Sequence, residues 1–209
     1  RFGALIFIII NQIMNSLFNT LQTFPEFIKQ LKYDKNRKKY NNTQFYMSKT
    51  LVDIPFQFVN TILYCLLSLY MTDLTKNVFE FISILFLTVL CASSLGYFCS
   101  TISENPALCI VFSNLLILPM MLTSGFFVNN DSVPVYLSWF KHINIFYYSY
   151  NALSTYTWKH TSIHCKPSEE CLYYSGDDVL DIYNIDTDNS MNLLMLVLLT
   201  CVFRLLGLG

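Results

Sequence analysis

At 209 residues and a formal net charge of −1, the chain is 54% hydrophobic and only 13% charged, where a soluble domain carries about 25%. That much apolar sequence exceeds what a soluble core of this size needs, and the charge offers no basic surface to a nucleic acid. One integral membrane domain built of helices is the expectation.

Five apolar stretches, 2–21, 54–71, 78–102, 107–128 and 191–209, approach the roughly 20 residues a helix needs to cross a bilayer core. In the first, Phe7, Asn11, Met14 and Phe18 recur at spacings of four, three and four, forming one helical stripe with an amide at mid-span. Below it, Phe24, Phe27, Ile28 and Leu31 lie opposite Glu26, Lys29, Gln30 and Lys32, so a short amphipathic helix is predicted at the membrane surface. It serves either as a surface anchor or as a contact for a cytosolic partner. A basic, Asn-rich stretch at 34–43 reads as flexible, and 46–55 leads into the second span. Lys49 and Asp53, four apart, are placed to pair. In the fourth stretch Asn114, Leu118, Met121 and Gly125 repeat the spacing of the first stripe, and Pro119 is expected to interrupt the helix near its middle. Amides inside a membrane face protein or a cavity rather than lipid, which leaves interhelical bonding and substrate contact both open for the two stripes.

Seven of the 13 Lys and Arg fall within 24–49, which marks that loop as cytosolic. Counting onward places 71–77 outside, 103–106 inside and 129–190 outside, and returns the last span to the cytoplasm. Arg204 near its inner end is expected to snorkel to the interface. The outer segment holds eight of the 14 acids. Its aromatic part, 135–158, is predicted to be a re-entrant or interfacial helical hairpin with its rings at headgroup level. Cys165 and Cys171 follow in polar sequence on the oxidising side. An intrachain disulfide is the first expectation for them, ahead of a bond between subunits and of free thiols. His160 and His164 lack a clear third ligand, so no metal site is predicted. The Asp residues between 177 and 188 lack the spacing of a calcium loop. Asn130-Asp131-Ser132 is a glycosylation pattern on the outer side, close to the membrane. No phosphate-binding glycine loop and no paired acid and base within one span are present, so no catalytic site is expected. An odd number of spans opening directly at Arg1 reads as a piece of a longer protein.

Several runs carry a family resemblance: Arg1-Phe2-Gly3-Ala4-Leu5 with Asn11-Gln12; Phe24-Pro25-Glu26; 46–55 ending Val52-Asp53-Ile54-Pro55; Ser124-Gly125-Phe126-Phe127-Val128; Leu137-Ser138-Trp139; and 147–153. In this order and topology they resemble the transmembrane domain of ABCG (White-type) ATP-binding cassette half-transporters. The resemblance implies spans two to six of a six-span domain, with the first span and a preceding nucleotide-binding domain, which takes ATP and Mg, outside this chain. It implies pairing as a homodimer or heterodimer, in the plasma membrane or an intracellular one, and export of lipids, sterols or amphipathic small molecules by alternating access. By position it implies a substrate cavity lined by Phe7, Asn11, Met14, Asn114, Leu118 and Met121. It also implies an apolar gate at Phe126 and Phe127, and coupling to the nucleotide-binding domain through Glu26. The stretch 37–40 departs from the family pattern. A membrane scaffold or channel without ATP coupling is the competing expectation.

Overall fold

The computed structural model describes residues 2–35, 42–72, 77–103, 105–127, 139–159, 176, 180, 185 and 187–207. Among them there is no strand. The helices are α1 (Phe2–Lys35), α2 (Asn42–Thr72), α3 (Val78–Ile102), α4 (Pro106–Leu122), α5 (Ile145–Trp158) and α6 (Asn189–Leu206), with a 3-10 turn at Trp139–Ile143. Helix α3 is the hub and touches the other five.

Small side chains make that centrality possible. Ala92, Ser93, Ser94 and Gly96 are buried in succession, and small residues let helix backbones approach closely where lipid offers no hydrophobic drive. At Gly96 the fit with α1 is tight, because an added Cβ would meet Thr20 Cβ at 2.9 Å. Buried hydroxyls are satisfied mostly within their own helices. Thr20 donates to the Ser16 carbonyl at 2.9 Å, Thr88 to Ile84 at 2.9 Å and the half-buried Thr200 to Leu196 at 2.8 Å, so these hydroxyls enter the bundle with a partner one turn back. Across helices, Ser16 donates to the Val89 carbonyl at 3.1 Å, and the Thr88 and Ser149 hydroxyls share a bond of 2.9 Å.

Among the described residues, four helices are long and apolar enough to cross a membrane: Gly3–Lys29, Tyr46–Thr72, Val78–Ile102 and Asn189–Leu206. The predicted span 107–128 requires correction. Its helix, α4, ends at Leu122 after 17 residues, about 25 Å at 1.5 Å per residue, short of a core of about 30 Å. Pro119 lies in its last turn rather than its middle, and Gly125 at φ 91° turns the chain away, a conformation that side chains with a Cβ resist. Beyond that end the bundle continues with α5. Its N-cap Asn144 sits against Met120 and Thr123 at the end of α4. Further along, Ser149 meets Thr88, and Tyr156 donates to the Asn77 carbonyl beside the start of α3 at 3.0 Å. Along the bundle, α5 thus runs from the end of α4 toward the start of α3.

Two more expectations change. The amphipathic helix predicted below the first span is the last part of α1, which continues through Pro25 although proline removes the N–H that would bond the Leu21 carbonyl. The rings of α5 do not line a surface: Phe146, Tyr148, Tyr150 and Tyr156 are buried between helices. The first arm of the predicted hairpin, 135–138, lies outside the described residues, as do Cys165, Cys171, His160, His164 and the glycosylation pattern.

Candidate functional site

The two amide-bearing stripes lie on α1 and α4, which touch one another. Each helix buries a different face. On α1 the residues Leu5, Ile9, Ile13 and Leu17 pack inward at 0–2% exposure, while Phe7 is 67% exposed and Asn11 and Met14 are half-buried. On α4 the residues Cys109, Ser113, Ile117 and Met120 are buried, Leu118 is 56% exposed, and Asn114 and Met121 are half-buried. The described residues therefore leave both stripes partly exposed, most of all at Phe7 and Leu118. Asn11 donates to the carbonyl of Phe7 one turn back at 2.8 Å, which ties down one amide hydrogen while its oxygen makes no hydrogen bond among the described residues. Asn114 has no hydrogen-bond partner among the described residues.

The two candidate gate residues have different settings. Phe126 is half-buried, edge-on to Phe127 with ring centres 5.1 Å apart and edge-on to Tyr150 at 6.1 Å. Phe127 is 48% exposed. It overhangs an apolar crevice between α1, the end of α4 and α5, whose walls include Ile6, Ile10, Met121 and Phe146. Of the six predicted cavity residues, Met121 alone lines this crevice. The other five stay on the open faces.

At the opposite end of the bundle stands a cluster that sequence reading found only in part. The pairing of Lys49 with Asp53 holds, Nζ to Oδ1 at 2.8 Å. The second carboxylate oxygen accepts from the hydroxyl of Tyr97, a fully buried residue of α3. Tyr97 packs edge-on against Phe24 of α1 at 4.8 Å and Tyr46 of α2 at 5.7 Å. Arg204 of α6 lies over the Tyr97 ring at 5.9 Å and donates from Nε to Ser94 Oγ at 3.1 Å. Arg204 is half-exposed, and a ring face and a hydroxyl on α3 give its guanidinium partners at this end of the bundle. Four helices are thereby tied at one end, next to the segment of α1 that bears Glu26. Glu26 is exposed and Phe24 beside it buried, so this turn is anchored on one side and open on the other. No cluster of three or more metal-ligating side chains occurs among the described residues.

A helical bundle with four helices long and apolar enough to cross a membrane is the architecture of a membrane domain, and the comparisons specify which. The profile of the ABC-2 type transporter family matches residues 1–157, and the chain belongs to that family. Its relatives are of ABCG type. It is 26% identical to protein white of Drosophila melanogaster over 98% of this chain and 31% of that protein. It is likewise 26% identical to ABC transporter G family member 1 of Dictyostelium discoideum, over 99% of this chain and 28% of that protein. The ABC transporter ATP-binding protein/permease wht-1 of Caenorhabditis elegans matches at 26% over 57% of this chain and 18% of its own length. The chain thus spans about a third of the length of the relatives that it matches throughout.

Proposed function

We propose that this chain is the membrane half of an ATP-driven exporter that moves lipids, sterols or amphipathic small molecules by alternating access. Two copies, or this chain and a related half-transporter, would face each other across the stripes of α1 and α4. The observation that carries this reading is that adjacent helices leave amide-bearing faces partly exposed, with Phe7 and Leu118 the most exposed of their stripes. An aromatic and Met-lined surface holds apolar ligands by dispersion and ring contact, and the amides orient a polar headgroup. ATP and Mg would act in a nucleotide-binding domain outside this sequence. The wht-1 relative, named an ATP-binding protein/permease, supports that division. Glu26, on the open side of α1, would receive the motion of that domain. Phe126 and Phe127 would close the cavity to the outside, and the Cys165–Cys171 pair would brace the outer segment.

The test is translocation of fluorescent phospholipid and sterol analogues by the full-length protein in vesicles. ATP-dependent movement that falls in Asn114→Leu and Leu118→Trp variants of normal stability supports the reading. Flux that persists without ATP would favour the channel alternative, and no flux with or without ATP would favour a scaffold.

A further inference from the structure

One side chain bridges the end of α4 and the start of α5. Asn144 is fully buried, and all four hydrogen-bonding positions of its amide are occupied. Its oxygen caps α5, accepting from Phe146 N at 2.9 Å and Tyr147 N at 3.3 Å. Its nitrogen donates to the Met120 carbonyl at 2.7 Å and to Thr123 Oγ1 at 3.0 Å. Thr123 in turn donates to the Pro119 carbonyl at 2.8 Å. The donor side of the amide thus faces the carbonyls at the end of α4, and its acceptor side faces the free N–H groups at the start of α5. Each helix end is electrostatically matched to the group it meets.

We infer that Asn144 is a positioning residue: it fixes the turn Thr123–Phe126, and through it sets where Phe127 hangs over the crevice. The inference rests on the gate assigned above. Only two residues lie between Thr123 and Phe126, and Gly125 between them adopts φ 91°, so the direction of the turn depends on what holds its start. A serine at 144 keeps an oxygen for the N-cap of α5 but cannot reach Met120, which separates the capping role from the bridging one.

Hydrogen exchange on the full-length protein in lipid nanodiscs, with basal ATPase measured on the same samples, tests this. With Asn144→Ser, amides of 120–126 should exchange about tenfold faster, as expected for two lost hydrogen bonds. The amides of 146–150 should stay unchanged, and basal ATPase activity should rise. Thr123→Val, which removes one bridging partner, should give a smaller change in the same segment and serves if the serine variant does not fold. Unchanged exchange at 120–126 in the folded variants would overturn the positioning role. Faster exchange with unaltered ATPase and transport would keep the bridge but overturn the gate it is said to set.

Discussion

Removing a single oxygen from Tyr97 probes the cluster that ties the bundle together. Tyr97→Phe leaves the ring against Phe24 and Tyr46 and under Arg204, and deletes only the hydroxyl that donates to Asp53. Tyr97 is fully buried, and Asp53 retains 22% exposure and its contact with Lys49. The substitution therefore opens no large cavity and strands no charge, and its cost is that of one hydrogen bond to a charged group, about 1.5–3 kcal/mol. Asp53→Ala should cost at least as much, since it orphans the buried hydroxyl and also frees Lys49. A double-mutant cycle isolates the shared bond. Reversible unfolding of the two single variants and the double should give a coupling energy of about 1 kcal/mol or more. A coupling below about 0.5 kcal/mol would show that the hydroxyl and carboxylate do not act as a pair, and the cluster would then be packing alone.

At the α1–α3 contact, Gly96→Ala pushes a Cβ to 2.9 Å from Thr20 Cβ; thermal unfolding should show a loss of about 1–3 kcal/mol from overpacking. Phe127→Ala should raise basal ATPase and widen the range of substrate sizes with little loss of stability, whereas Phe126→Ala should lower stability by up to about 1.5–3 kcal/mol through its contact with Tyr150. Equal effects of the two would refute the division into anchor and gate. Glu26→Ala should slow or uncouple transport while substrate affinity stays within error. Normal substrate-stimulated ATPase together with normal export would leave that part of α1 as an anchor only.

Apolar length and loop charge carry the helical membrane class in the sequence, because a span must bond its backbone internally and basic residues stay on one side. Local pairs are visible too: Lys49 and Asp53 are one helical turn apart, and their ion pair follows from helix geometry. The end of α4 was not legible. The run 107–128 is largely apolar, and hydropathy does not register that the helix stops before Gly125, which has φ 91°. The bridging bonds of Asn144, Tyr97 and Ser94 carry no local signal either. Their partners are 24, 44 and 110 residues away, so they become informative only once the helices are packed. The aromatic run of α5 suggested headgroup anchoring for the same reason, since ring content alone does not distinguish a wet interface from the space between helices.

The central claim is that the stripes of α1 and α4 face one another across a two-fold axis, and cysteine cross-linking tests it most directly. In the full-length protein with other accessible cysteines replaced, Asn11→Cys and Leu118→Cys should each yield covalent dimers in native membranes. Leu63→Cys on α2, 58% exposed and read as facing lipid, should stay monomeric. Dimers formed through Leu63 and not through Asn11 or Leu118 would place the interface on α2 and contradict the account.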